Sequence, residues 1–394
     1  MHGICYDGVD FEYFFMNYIT VLDNIFSQFE GVRFDVKLWD GKSRHYGTSG
    51  DPAFTLEIAN AKVVKRLLSE GALGFGESYM NESLEIEGNL EAYLRLRHQF
   101  KRVKPSLRLA YAKLMANLTT PKDRKGQIAY HYDLGTDFFS LFLDQSTMSY
   151  SAGHYVTGKE TADQAQTNKL KLACDWINLP KGSKVLDLGS GWGGFAEYTA
   201  TKHTFTIHGY ALSKKQLAYS NELIQSKRLT DKIIFTYKDF TKELPQTQYD
   251  GVVMIEAIEH IGKENLNSFI KEVSNCLTPN APFYLQFTGR HKPKSVDPWT
   301  LKYVFPGGYL PAKSEFLEAA TAAGLIVERF EDHTEDYKKT MAVWIQLIEK
   351  HQADIERMFD KSFFRLWKLW THGAYVNFDI GDMSLFRVLL RKPE

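Results

Sequence analysis

Residues 185–198 read VLDLGSGWGGFAEY. The apolar run Val185 to Leu188 enters a turn in which Gly189, Gly191 and Gly194 fit G-x-G-x-x-G, and a helix-like stretch from Trp192 to Lys202 follows. Strand, glycine turn and helix, in that order, is the context in which this motif carries meaning. A turn without Cβ atoms can fold tightly and present backbone N–H groups and a helix N-terminus to a polar ligand.

Outward from the turn the pattern repeats. Apolar strand-like runs lie at 183–188, 204–209, 232–236, 249–255 and 282–287, with helical segments between them. Such alternation predicts a parallel sheet wound on both faces. A helix at 313–323 leads to two more runs, 325–330 and 340–347, expected to pair antiparallel at one edge. The expected fold is α/β, a doubly wound, mostly parallel seven-stranded sheet.

The first part of the chain reads differently. Phe11, Phe14, Phe15, Tyr18, Leu22, Ile25, Phe26 and Phe29 recur at helical spacing; Val32, Phe34, Val36 and Leu38 then alternate with polar residues up to Asp40-Gly41. A helix and a hairpin are expected there. A second helix over 61–69 precedes GALGFGESYMNESLEIEG at 71–88, whose glycines suit turns between short strands. Residues 1–120 are thus expected to form a smaller N-terminal α+β domain and residues 121–394 the main one. A basic run, Arg95, Arg97, Lys101, Arg102, Lys104, Arg108, Lys113, Lys122, Arg124 and Lys125, faces a single acid, Asp123. It reads either as a solvated helix and linker face or as a contact with anionic phospholipid, worth about 1 kcal/mol per basic residue near the surface.

Composition bounds the setting. The 394 residues suffice for an α/β domain and a second unit, and 44% apolar with 24% charged residues is ordinary globular usage. The formal net charge is zero, so nucleic acid is not an expected partner and any attraction to lipid must come from a local patch. Cys5, Cys174 and Cys276 are scattered, with neither a disulfide framework nor metal-ligand spacing, which fits a reducing cytoplasm. The opening MHGICYDGVDFEYFF carries Asp7, Asp10 and Glu12 where a secretory signal needs basic residues, and no window approaches a transmembrane span. A soluble or peripheral protein is expected.

The residues around the turn discriminate between cofactors. A dinucleotide site needs an acid about 20 residues past the first glycine, yet no Asp or Glu lies between Glu197 and Glu222. No G-K-[ST] follows the glycines, which excludes a P-loop. S-adenosylmethionine remains. Asp187, just before the turn, can lie near the cationic methionine end, and Asp239 in YKDF can accept from the adenine amino group. Taken singly, each acid also reads as an ordinary strand-end turn residue.

Several further blocks carry a resemblance. They are HYDLGTDFFSLFLD (131–144), MSYSAGHY (148–155), TADQAQTNKL (161–170), GYALSKKQ (209–216), IEAIEHIG (255–262), KYVFPGGYLP (302–311) and EDYKKTMAVW (335–344). With VLDLGSGWGG, and in this order from about residue 127 to the C-terminus, they resemble the cyclopropane fatty-acyl-phospholipid synthases, which include the mycolic-acid cyclopropane synthases and related fatty-acid methyltransferases. GFGESYM at 74–80 resembles, more weakly, the extra domain of the bacterial phospholipid-acting members. The resemblance implies a class I methyltransferase fold. It places cofactor contacts on Tyr150, Ser151, Gly189 and its neighbours, Leu212, Gln216 and Asp239, with Gln216 standing in for the missing ribose acid.

It also implies a reaction. An isolated cis alkene of a phospholipid acyl chain attacks the sulfonium methyl, a carbocation forms, and a proton leaves the new methyl as a cyclopropane closes. Water must be kept out, since it would trap the cation. An anion about 4 Å away at an effective dielectric near 20 contributes roughly 4 kcal/mol to holding that cation. In the family the base looks like a bound bicarbonate, held by a glutamate, a tyrosine, a histidine and groups around a cysteine. Glu259 and Tyr337 match the glutamate and tyrosine; the histidine position is Gln286 and the cysteine position Ala152. Ala152 still supplies a backbone N–H and Gln286 an amide donor. Glu259 acting directly, or a water held by Gln286, is the competing arrangement, and His260 reads as a brace for its loop. Cation resolution to a methyl or methylene branch is the alternative outcome, and a soluble small-molecule methyltransferase the alternative class.

An acyl chain needs an apolar tunnel. Phe138, Phe139, Phe142, Trp299, Tyr303, Phe305 and Tyr309 are the chief candidates for its wall, with Trp367 and Trp370 further on. The implied setting is the cytoplasmic, inner face of a membrane, with a homodimer possible.

Overall fold

The structure, a computed structural model, describes residues 18–102, Ala110 and 134–394. The chain divides into two compact units, Met1–Gln127 and Ile128–Glu394.

In the first unit the helix Tyr18–Phe26 buries Val21, Leu22, Ile25 and Phe26, the i, i+1, i+4, i+5 stripe that the phenylalanine spacing predicts. Strands β1 (Phe34–Leu38) and β2 (Ser43–Tyr46) form the expected hairpin; β3 (Phe54–Ile58) joins β1 in parallel and β4 (Leu84–Gly88) joins β3 antiparallel. The helix Ala61–Glu70 is capped by the Asn60 side chain, which accepts from the Lys62 and Val63 N–H groups. The glycine-rich stretch departs from expectation. Ala72–Met80 is one helix, and only β4 is a strand. A Cβ on Gly74 would lie 2.4 Å from the Arg66 carbonyl oxygen, so this glycine lets two helices press backbone to backbone instead of making a turn. Most of the basic run lies outside the described residues; within them, Arg95 pairs with Glu91 at 3.5 Å.

The second unit carries a seven-stranded sheet. Its strands are β5 (Lys184–Leu188), β6 (Thr206–Ala211), β7 (Ile233–Tyr237), β8 (Gly251–Ile255), β9 (Pro282–Gly289), β10 (Ile326–Asp332) and β11 (Ser384–Arg391). They lie in the order β10-β11-β9-β8-β5-β6-β7. From β9 to β7 all neighbours are parallel, and β9-β11-β10 are antiparallel. Alternate residues feed two cores. Leu186, Leu188, Val252 and Met254 pack with Phe269, Ile270 and Val273 of the helix Leu266–Asn275 and with Phe316 of Lys313–Ala322. Val185, Ile207 and Val253 pack with residues of Ala162–Ile177, Gly194–Lys202 and Lys214–Ser226. Burial on both faces is why these strands read as continuous apolar runs.

The expected edge pair is half right. β10 is a strand, but 340–347 lies within the helix Thr334–Lys350, where Met341, Trp344, Ile345 and Ile348 form a helical stripe. The partner of β10 is β11, which was not anticipated. Strand order reverses beside β5, and the crevice at the carboxyl ends of β5 and β8 is where such sheets bind ligands.

Candidate functional site

That crevice is a cavity of about 250 Å³. Its first end is the glycine turn, where Gly189, Ser190, Gly191, Leu212, Ser213 and Gln216 line it. Gly189 has φ +86°, and a Cβ there would lie 2.6 Å from the Ala257 Cβ; only glycine fits. The Asp187 carboxyl also lines the cavity, 3% exposed, with Oδ2 lacking a protein partner. Burial pushes that carboxyl up to about 7, opposed by Ser190. An unpaired buried carboxyl oxygen is costly unless a ligand answers it. The donor set thus fits a ligand carrying cationic and hydrogen-bonding groups, as S-adenosylmethionine does.

Seven expected contacts, Tyr150, Ser151, Asp187, Gly189, Gly191, Leu212 and Gln216, line this cavity. Asp239 does not. Its carboxylate accepts from the Thr241 N–H at 3.1 Å and pairs with Lys242 at 3.0 Å, while the adjacent Phe240 faces the cavity. Short local bonds of this kind compete for an aspartate at a strand end.

Further in, Glu256, Glu259, Thr288 and Tyr337 line the same space. Glu259 accepts the Thr288 N–H at 2.6 Å, and its Oε2 has no protein partner. Burial, reinforced by the charge of Glu256, pushes its carboxyl up to about 8. It is therefore a neutral acid near pH 7. His260 also lines the cavity and is driven down to about 4 by burial, so it carries no charge there. Burial of both groups thus favours their neutral forms.

The remaining expected residues meet at a group not anticipated. Ala152 N–H donates to Glu256 Oε1 at 2.8 Å, Gln286 Nε2 donates to the same oxygen at 2.7 Å, and the Tyr337 hydroxyl hydrogen-bonds that carboxylate. Ala152 and Gln286 are fully buried behind it and do not line the cavity. Glu256 has φ +50°, a left-handed conformation that costs a non-glycine residue about 1–2 kcal/mol. Its N–H donates to the Gln286 carbonyl at 2.7 Å, which holds the bend. Three of the four groups that the resemblance assigns to bicarbonate, Ala152, Gln286 and Tyr337, are thus already satisfied by a side-chain carboxylate. Bicarbonate does not fit the residues present.

Arg387, 0% exposed, orients this arrangement from behind. Its Nε donates to Gln286 Oε1 at 2.8 Å, which turns the amide nitrogen toward Glu256; Nη2 donates to the Gly153 carbonyl at 2.9 Å and Nη1 to Asp336 at 2.8 Å. Burial alone would raise the Asp336 carboxyl, but hydrogen bonds from His154 and His333 and the Arg387 charge hold it far below the usual range. His154, His333 and Asp336 lie close enough to hold a cation, yet the guanidinium already sits among them. Lys169, 1% exposed and lowered to about 8 by burial, donates to Ser151 Oγ at 2.9 Å.

Of the expected tunnel aromatics, Phe139, Phe305, Tyr309, Trp367 and Trp370 line the cavity. Phe138 and Phe142 instead pack against Trp367, at 4.8 and 5.7 Å between centroids, and Trp299 and Tyr303 also lie off the wall. Val304, Leu310, Met341, Phe378 and Met383 complete an apolar lining that spacing alone does not reveal.

The raised Glu259 carboxyl has a consequence for stability. Its proton is held more tightly in the folded than in the unfolded chain, so the stability it contributes is full below about 4.5 and is lost as pH rises through about 8. Glu259→Gln keeps an acceptor for Thr288 and cannot ionise. The variant is expected to gain on the wild type in melting temperature between pH 5 and pH 9. The gain corresponds to about 1.4 kcal/mol for each tenfold by which the folded chain holds the proton more tightly than the unfolded one. A difference that does not change with pH would refute the neutral-acid assignment.

A glycine turn after the first central strand, an unanswered acid beside it, and a cavity leading to further buried acids define a class I, S-adenosylmethionine-dependent methyltransferase. The family model described as mycolic acid cyclopropane synthetase matches residues 119–388, more than half of the chain, and the protein belongs to that family. A domain of unknown function matches residues 21–102. The chain is 29% identical over 355 residues to the cyclopropane-fatty-acyl-phospholipid synthase of Escherichia coli K12, covering 87% of this chain and 89% of the relative. It is 28% identical over 373 residues to a probable fatty acid methyltransferase of Pseudomonas putida, covering 91% of each. The mycolic acid cyclopropane synthase CmaA1, solved with SAH and CTAB, superposes with a TM-score of 0.63 at 25% identity over 68% of this chain and 97% of that one.

Proposed function

We propose that the protein transfers the methyl of S-adenosylmethionine to a cis double bond of a phospholipid acyl chain and closes a cyclopropane ring. The observation that carries this reading is the cavity joining the glycine turn to Glu256, Glu259 and Tyr337 through an apolar lining. When bound, the cofactor supplies an electrophilic methyl. Asp187, Gln216 and the glycine turn would hold it. The apolar walls exclude water from a cation forming on the substrate, and neutral Glu259 and His260 add no second charge. A carboxylate at Glu256 stabilises that cation.

The similarity to the E. coli synthase favours this reading, and the similarity to the P. putida fatty acid methyltransferase favours a second outcome in the same site, a methyl or methylene branch. Work at the inner face of a membrane fits the basic run at 95–125 and an acyl substrate; among the described residues no helix is long and apolar enough to cross a membrane.

The test uses methyl-labelled cofactor with vesicles of unsaturated phosphatidylglycerol, with saturated vesicles as control. Label is expected in the unsaturated lipid alone, with upfield ring methylene signals in its proton NMR spectrum. Tyr337→Phe removes a hydroxyl donor from Glu256 and is expected to cut turnover about a hundredfold while leaving cofactor affinity unchanged. Equal labelling of saturated vesicles, or none of either, overturns the lipid reading.

A further inference from the structure

The donors that a bound anion would need converge on a carboxylate that the chain itself provides. Ala152 N–H and Gln286 Nε2 meet at Glu256 Oε1, at 2.8 and 2.7 Å, and the Tyr337 hydroxyl completes the set. Arg387 holds the Gln286 amide oxygen at 2.8 Å, which fixes the amide nitrogen as a donor toward the Glu256 carboxylate. The Glu256 backbone is bent into the left-handed region, with φ +50°, to bring the side chain here. Strain of this kind persists where the surrounding structure holds it and accompanies function.

We infer that Glu256 is the general base of the reaction, a covalently tethered carboxylate in the place of a diffusible bicarbonate, so that the enzyme works without dissolved carbon dioxide. The inference rests on the methyl transfer proposed above. Once the alkene has taken the methyl, the electron pair of one C–H bond of that methyl forms the bond to the cationic carbon. The proton passes to the Glu256 carboxylate, which becomes a neutral carboxyl and returns it to solvent between turnovers. Burial raises the Glu256 carboxyl, which makes it a better proton acceptor, while hydrogen bonds from Ala152, Gln286 and Tyr337 oppose that rise and favour the carboxylate. Tyr337, driven well above its ordinary range by burial and the nearby charge, keeps its proton and acts as a fixed donor.

The decisive variant is Glu256→Gly. Glycine accepts φ +50° without strain, so folding is preserved while a carboxylate-sized space opens beside three intact donors. In buffer purged of carbon dioxide, wild type is expected to form S-adenosylhomocysteine with unsaturated phosphatidylglycerol vesicles as fast as with added bicarbonate. Glu256→Gly is expected to fall about a hundredfold and to recover tenfold or more, saturably, with bicarbonate or formate. Glu256→Gln, whose amide fills the space, is expected to stay inactive with either anion. A wild type that needs bicarbonate, or a Glu256→Gly variant as fast as wild type in purged buffer, overturns the inference.

A binding measurement separates this result from the fate of the lipid reading. Titrating carbon-13 bicarbonate into protein loaded with S-adenosylhomocysteine is expected to show saturable binding to Glu256→Gly and none to wild type. That pattern without turnover on any vesicle supports the side-chain carboxylate as occupant of the anion place and overturns the lipid substrate instead. Saturable binding to wild type overturns the inference directly.

Discussion

Arg387→Met lowers the free energy of unfolding by roughly 3–5 kcal/mol, the cost of removing one partner from a buried, hydrogen-bonded ion pair. The arginine is fully buried in β11 and donates to Asp336, Gln286 and Gly153, so methionine leaves Asp336 without its cationic partner and two acceptors unmet. Turnover falls as well, because Gln286 is then free to turn its carbonyl oxygen toward Glu256, replacing an attraction by a repulsion. Arg387→Lys is expected to keep part of the stability and little of the activity, since one ammonium cannot serve three divergent acceptors. Urea denaturation and S-adenosylhomocysteine formation measure the two effects. A loss of stability below about 1 kcal/mol would mean that Arg387 is not the brace its geometry indicates.

Gly189→Ala weakens S-adenosylhomocysteine binding by about a hundredfold or more, equivalent to about 2.7 kcal/mol. Two costs add: a left-handed backbone at an alanine, about 1–2 kcal/mol, and a Cβ placed 2.6 Å from the Ala257 Cβ. The overlap forces apart the turn and the segment that carries Glu256. Calorimetric titration gives the affinity, and the double variant Gly189→Ala, Ala257→Gly separates the causes. Removing the overlap leaves the backbone cost, so partial recovery is expected. Full affinity in Gly189→Ala alone would show that the turn does not hold the cofactor.

Glu256 and Glu259 divide the work of the cavity because their surroundings differ. Glu256 receives two side-chain donors and a backbone N–H; Glu259 receives backbone N–H groups alone and leaves an oxygen unpaired. Repulsion between the two favours one charge over two, and the carboxylate with more hydrogen-bond donors is favoured to keep it. Removal of Glu256 should therefore lower the Glu259 carboxyl, since the charge of Glu256 is one cause of its rise. The loss of a proton acceptor at 256 and the ionisation of 259 would then be coupled.

Much of the architecture was legible in local pattern. The parallel strands appear as apolar runs because burial on both faces leaves no polar alternate position, and the glycine turn and its strand and helix are contiguous in sequence. The misreadings have physical causes. Gly74 serves helix packing, and a glycine in sequence does not say whether it frees a turn or a close approach. The run at 340–347 is short and apolar, and its helical period emerges only when Met341, Trp344, Ile345 and Ile348 are seen to share a face. Glu256 stood in plain view in IEAIEHIG, three residues before Glu259, but its φ of +50° and its convergence with Ala152 and Gln286 are not local properties.

From the order of its residues alone, this chain is recognisable as a glycine-turn α/β methyltransferase with acids beside the turn and a tyrosine and glutamate in family blocks. Which acid faces the reacting groups was decided by tertiary structure. Residues 152, 256, 286, 337 and 387 are far apart along the chain; the pairing of β9 with β11 sets Arg387 beside Gln286, the bend after β8 turns Glu256 toward Gln286 and Ala152, and the helix Thr334–Lys350 brings in Tyr337. Hydrogen bonds act over about 3 Å, so their partners are set by where the backbone folds and not by spacing in sequence.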